Sequence, residues 1–430
     1  MSPWMRVALI SAGLIVTVPA AAQVTSAKVT GGTVSGTIAP DISIFRGIPF
    51  SAPPVGALRW KAPQPVTPWQ GSKQTTSFAP ACMQEPKMAQ QMGQTGPFSE
   101  DCLYLNVWTP AKKATEKLPV IVWIYGGGFS GGTTSIPLYD GGNFARKGVV
   151  FVSIAYRVGP MGFLADPALS EENGHGSGAY GLLDQIAGLE WVKANVGQFG
   201  GDPNRVTLLG HSAGGYAVST LAASPLAKGL FHGIIAESGA NFAPAHAGRL
   251  ETLAASEVKG ARFLAGLGAT DLKAARALSA DAIQHAADQP GAPRFGPPLD
   301  GYVLPANQIA LWKAGRFNDT PILIGSNSDE AASFGTRQLT PAAFEAEVRK
   351  DYGAKADVLL SAYPHATSED ATRAGKQLRR DTAYGWPTYA WADLQTQKGQ
   401  GKAYVYYFDR PTAQNPDGSP HGEEVAIVFN

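Results

Sequence analysis

RVTLLGHSAGG, residues 205–215, is the stretch on which the fold turns. An apolar run ends at Gly210. Within the pentapeptide Gly-His-Ser-Ala-Gly it gives way to a helical pattern that continues through Tyr216 to Leu221. A serine on so tight a strand-to-helix turn is held exposed. Small residues are needed at 210 and 214 because larger side chains would strike neighbouring backbone. The helix start behind Ser212 adds a positive dipole end for a developing oxyanion. With 50 glycines in 430 residues, G-x-S-x-G arises by chance about a few tenths of a time in such a chain. Its strand–turn–helix setting, rather than the pattern alone, makes Ser212 the candidate nucleophile.

The same grammar extends outward. PVIVWIY (119–125), VVFVSIAY (149–156), HGIIAES (232–238), PILIGS (321–326) and KAYVYYF (402–408) read, with 205–210, as buried parallel strands. Between them Leu182, Leu183, Ile186, Leu189, Val192 and Val196 repeat at helical spacing, and 250–267 and 342–352 are further amphipathic candidates. Residues 24–48 read as short strands and hairpins, and the proline-rich 49–71 as a surface loop. Alternating strand and helix implies an α/β sheet covered on both faces, with ligands at the carboxyl ends of its strands. No repeat or linker divides the chain, so residues 23–430 read as one domain.

YGGGFSGG (125–132) follows directly on the strand PVIVWIY. It satisfies G-x-G-x-x-G through Gly126, Gly128 and Gly131, but a dinucleotide fingerprint should open a helix, and TTSIPLYDGGNF has no helical apolar period. An oxyanion hole is the better account, because consecutive glycines let backbone N–H groups point into a site without side chains in the way.

Composition narrows the partners. With 35 basic and 34 acidic residues the net charge is +1, which offers no basic excess to hold nucleic acid through its phosphates. At 44% apolar residues the chain is not disordered by composition. The apolar run Val7–Val18 after Arg6, ending Pro19-Ala20-Ala21-Ala22, has the pattern of an export leader cleaved after Ala22. It is too short to cross a bilayer, so no membrane anchor is expected after cleavage, and the location is expected to be secreted or periplasmic. In that compartment the two cysteines, Cys82 and Cys102, are expected to be bridged. The seven histidines are scattered without zinc spacing, so no metal is expected.

The chain resembles the carboxylesterase type B family of α/β-hydrolases, which includes bacterial carboxylesterases and the cholinesterases. The resemblance rests on FRGIPFSAPPVGALRW (45–60), EDCLYLNVWTP (100–110), VWIYGGGFSGG (122–132), YRVGPMGFL (156–164), the long stretch 181–215, GSNSDEAASF (325–334) and SPHGEEV (419–425). It implies an α/β-hydrolase fold with a mostly parallel central sheet and helices on both faces. Serine hydrolysis in that fold needs an acid and then a histidine downstream of the serine. Order alone leaves Asp329 or Glu330, and His365 or His421. The resemblance selects Glu330, the second acid of the D-E pair, and His421, which matches the family's H-G-x-E as HGEE and stands in a Gly/Pro-rich loop. It assigns the oxyanion hole to the backbone N–H groups of Gly127, Gly128 and Ala213, the disulfide to Cys82–Cys102, and structural ion pairs to Arg46–Glu100 and Arg157–Asp184. His211 goes to the pocket wall, since neighbours on a tight turn point apart.

The expected activity is two-step hydrolysis of a small carboxylic ester without a cofactor. Residues 82–102 contain no tryptophan such as cholinesterases use to bind a cation, which disfavours choline esters. Phe129, Tyr139 and Tyr216 would suit an apolar or aromatic acyl or alcohol group. No amphipathic lid of the kind an interfacial lipase needs is evident. Relatives usually continue well beyond the catalytic histidine, whereas Asn430 follows His421 closely. The C-terminal part of the family fold is therefore expected to be missing, and a weak or inactive member acting as a binding module is the alternative.

Overall fold

The computed structural model describes residues 23–91, 93–94, 96–242 and 250–430, so the leader read at 1–22 lies outside the described residues. Among them a nine-stranded sheet is built from β1 (Thr37–Ala39), β2 (Ile42–Pro49), β3 (Tyr104–Thr109), β4 (Leu118–Ile124), β5 (Val150–Ile154), β6 (Gly201–His211), β7 (Gly233–Glu237), β8 (Ile322–Asn327) and β9 (Ala403–Phe408). The order across it is β9-β8-β7-β6-β4-β5-β3-β2-β1. From β9 to β5 neighbours run parallel, and β5 through β1 pair antiparallel. The parallel strands are the six apolar runs of the sequence. Each of the first five is followed by a crossover long enough to return to the same end of the sheet, whereas the Asp41 turn, at φ 66°, lets β1 fold directly back on β2.

Burial follows position. Every residue of β5 is buried. β9 departs from the expectation that 402–408 is buried, because among the described residues it pairs only with β8 and leaves Tyr404, Val405 and Tyr407 more than half exposed. A continuous apolar run marks a parallel strand, but which of these takes the edge is decided by order in the sheet.

Helix α1 (Tyr180–Asn195) buries Leu182, Ile186, Leu189 and Val192. Helix α2 (Ala213–Ala223) leaves β6 at the turn and is buried throughout. Beyond β8, α3 (Pro341–Tyr352), α4 (Ser368–Arg380) and α5 (Trp386–Lys398) follow. The first two enclose a small core of Phe344, Val348, Ala371, Ala374 and Leu378 beside the main one. A capping box between Thr367 and Asp370 starts α4, and a π-helical turn at Asp381–Gly385 joins it to α5.

Cys82 and Cys102 are bonded, closing a span of 20 residues. Arg157 and Asp184 form a buried bidentate pair, with Nε–Oδ2 at 2.8 Å and Nη2–Oδ1 at 2.7 Å. The expected Arg46–Glu100 pair does not form. Glu100 takes both oxygens to Arg59, at 2.6 and 2.7 Å, and Arg59 also donates to the carbonyls of Arg276 and Leu278. Arg46 instead lies over Phe78 and reaches Asp140 at 3.3 Å. Both arginines lie within FRGIPFSAPPVGALRW (45–60), and the loop after β2 presents Arg59, not Arg46, to Glu100.

Candidate active site

The β6–α2 turn holds Ser212 at φ 57° and ψ −120°, a conformation that a side chain with a Cβ adopts only under constraint. The constraint is visible. The Ser212 amide donates to the Glu237 carbonyl at the end of β7, 2.8 Å away, and Tyr216 N–H donates to the Ser212 carbonyl at 2.9 Å. A Cβ on Gly214 would sit 1.9 Å from the Ile124 carbonyl, and one on Gly210 would sit 2.4 Å from the Gly214 carbonyl. Both positions therefore demand glycine, because backbone cannot yield as a flexible side chain does.

Glu330 follows β8 and is fully buried. Its Oε1 accepts from the Asn327 amide at 2.7 Å and from Ser238 Oγ at 2.6 Å, and its Oε2 accepts from His421 Nδ1 at 2.5 Å. Three donors on one carboxylate fix its orientation. With Nδ1 as the donor, the buried Nε2 of His421, which has no protein partner among the described residues, is the basic nitrogen. Asp329, the neighbouring acid, turns away to Lys376 Nζ at 2.5 Å, and His365 sits with the Tyr363 carbonyl and Glu345. Neither joins Ser212.

Ser212, His421, Gly127, Gly128 and Ala213 line one cavity of about 800 Å³. Gly127 at φ 120° and Gly128 at φ 62° form the turn, which is closed by Ser130 and Gly131 amides donating to the Gly127 carbonyl at 3.0 and 3.1 Å. Among the described residues no backbone or side-chain acceptor takes the Gly127 or Gly128 amide. The loop's far end is fastened by Gln84, whose Nε2 donates to the carbonyls of Gly132 and Cys82 and whose Oε1 accepts from the Gly132 amide, all within 3.0 Å.

Phe129, Tyr139, His211 and Tyr216 line the same cavity. Phe129 packs edge-on to Phe163, Tyr139 is buried against Trp123, and Tyr216 Oη donates to the Ala383 carbonyl at 2.8 Å. The His211 ring lies 4.6 Å from that of His421. Burial, then the nearby His421, hold its pKa well below the usual imidazole value, so His211 stays neutral. Behind it, burial raises the Glu424 carboxyl, and burial together with Glu424 pushes Glu237 up to about 8.

Several contributors carried no sequence signal of their own. Ser238 and Asn327 sit at the ends of β7 and β8, where strand-end position alone marks them. Phe334 and Tyr384 bracket His421 with ring centroids at 5.1 Å each, Tyr384 being delivered by the π-helical turn. Gln84 fastens the glycine loop from within the disulfide-closed segment. Among the described residues no group of three or more His, Cys, Asp or Glu is disposed to hold a metal ion.

With this geometry in hand, a family model described as the carboxylesterase family matches residues 20–430. The fumonisin B1 esterase of Sphingopyxis macrogoltabida is 38% identical over 96% of this chain and 77% of that protein. The para-nitrobenzyl esterase of Bacillus subtilis is 35% identical over 93% of this chain and 81% of that protein. Among solved structures, a PNB esterase superposes with a TM-score of 0.83 at 32% identity, covering 94% of this chain and 83% of that one.

Proposed function

The chain belongs to the carboxylesterase family, enzymes that hydrolyse carboxylic esters, and from that membership we propose an exported serine esterase acting through an acyl-enzyme on Ser212. Its fold is that of the α/β-hydrolases. The observation that carries the proposal is the ordered chain of contacts behind the serine. A strained elbow presents Ser212, and a buried, triply hydrogen-bonded Glu330 fixes the tautomer of His421, which shares the serine's cavity.

In this reading His421 Nε2 takes the proton from Ser212 as its Oγ attacks the ester carbonyl, and Glu330 stabilises the imidazolium that results. Charge on the carbonyl oxygen is met by the amides of Gly127, Gly128 and Ala213, which need no reorientation when it develops. His421 then protonates the leaving alcohol and activates water to free the acyl group. A neutral His211 suits this cycle, because a second cation beside His421 would oppose its protonation. Export is supported by the apolar leader pattern at 7–18 and by the Cys82–Cys102 bridge, and no helix among the described residues is long and apolar enough to cross a membrane. One continuous apolar cluster from Ala27 to Phe429 supports residues 23–430 as a single domain.

The test is labelling with a fluorophosphonate, which phosphonylates an activated serine with loss of fluoride. A single adduct on Ser212, absent from Ser212→Ala, is expected. An unlabelled protein that still binds esters would point to the binding-module alternative.

A further inference from the structure

The cavity around Ser212 carries more positive charge than the chain's near-neutral balance leads one to expect. Arg294, Arg379 and Lys259 all line it. Lys259 is taken up by Glu251, Nζ to Oε2 at 2.5 Å. Neither arginine has a carboxylate within ion-pair distance among the described residues, and no Asp or Glu of the chain lies outside them. Glu347, which lines the adjoining cavity together with Arg379, is engaged by Arg337.

Their places relative to the reacting groups are distinct. Arg294 Nη2 lies 3.8 Å from where a Cβ on Gly128 would stand, beside the oxyanion loop. The Arg379 guanidinium lies 5.6 Å from the Phe334 ring centre, and that ring is 5.1 Å from His421. Two guanidiniums are thus brought to the two sides of the proposed catalytic groups, neither with a side-chain hydrogen-bond partner among the described residues. A guanidinium presents donors in a planar fork that matches a carboxylate, and it remains charged at any working pH. Both arginines are exposed at the cavity's margin, so salt screens their attraction for an anion.

We propose that this cavity selects esters bearing a carboxylate, on the acyl or the alcohol side, that Arg294 and Arg379 grip while Ser212 attacks. The inference rests on the serine-esterase reading and narrows its substrate. It sharpens the sequence-based expectation of an apolar or aromatic ester by adding an anionic group at the cavity's edge.

The experiment compares kcat/KM for 4-nitrophenyl hydrogen adipate against 4-nitrophenyl hexanoate, and for the hexanoate ester of 4-hydroxybenzoate against that of 4-hydroxybenzamide. In at least one pair the carboxylate ester should be favoured by about 10-fold at low salt, the advantage shrinking as ionic strength rises. Arg294→Gln or Arg379→Gln should cut that preference ratio by about 10-fold, with thermal melting checked to show that each variant is folded. Equal or better turnover of both neutral partners, or a preference untouched by both substitutions, overturns the proposal. If none of the four esters is turned over and Ser212 also resists fluorophosphonate, the esterase reading itself falls, a result distinct from loss of the anionic preference.

Discussion

Two buried carboxyls near the serine have opposite electrostatic situations, and they predict opposite responses to removal of charge. Glu330 is held by three donors and, in the proposed mechanism, faces the imidazolium of His421. Glu330→Gln keeps the shape but not the charge that fixes the His421 tautomer and stabilises the imidazolium, and kcat/KM should fall by about 10³- to 10⁴-fold in an ester hydrolysis assay. Glu237 is buried without such help, its Oε2 having no partner among the described residues, and its pKa is raised from 4.5 to about 8. Its folded pKa lies above its unfolded value, so its contribution to stability is fully present below pH 4.5 and is lost as pH rises to 8, because the unfolded chain releases a proton that the folded chain retains. Glu237→Gln should flatten that decline and, at pH 8.5, raise stability by up to about 3 kcal/mol, read as a higher midpoint in denaturant titrations. An unchanged pH profile would show that Glu237 is not the group responsible.

At the scale of elements, the site depends on how two loops are fastened. The glycine loop after β4 is fastened at its far end by Gln84, through three hydrogen bonds to main chain. Gln84→Leu fills similar space but abandons those groups in a buried setting. We expect a loss of about 2 kcal/mol in stability and a fall in kcat of about 10-fold or more, with a smaller change in KM, since the oxyanion donors act chiefly in the transition state. Stopped assays on the purified variant, beside its thermal melt, separate the two effects. On the opposite wall, the π-helical turn between α4 and α5 swings Tyr384 toward His421 and offers the Ala383 carbonyl to Tyr216. An uninterrupted α-helix would carry those residues at a different angle.

For the whole molecule, the open edge of the sheet is the exposed feature with the clearest physical consequence. β9 presents Tyr404, Val405 and Tyr407 on a strand whose outer edge pairs with no other strand among the described residues, an arrangement that invites pairing with another chain. Val405→Lys places a charge on that edge without touching the core. It should slow the growth of light scattering at high protein concentration while leaving the melting temperature within a degree or two. No change in scattering would assign any association to another surface.

The six apolar strands and the tight turn at Ser212 were legible in the sequence because each rests on local chemistry, and the choice of Glu330 and His421 came from the resemblance. A buried parallel strand must be apolar throughout, a turn closed at 1.9 Å from a carbonyl must be glycine, and a motif such as HGEE travels with its loop. Sequence order alone left Asp329 beside Glu330 and His365 beside His421. Only the fold sends Asp329 outward to Lys376 and draws Glu330 under His421. The exposure of β9, the pairing of Glu100 with Arg59, the anchoring of the glycine loop by Gln84 and the meeting of Arg294 with Arg379 around one cavity were likewise decided in three dimensions. Each is a contact between segments far apart in the chain, and neither periodicity nor composition records which distant groups packing will bring together.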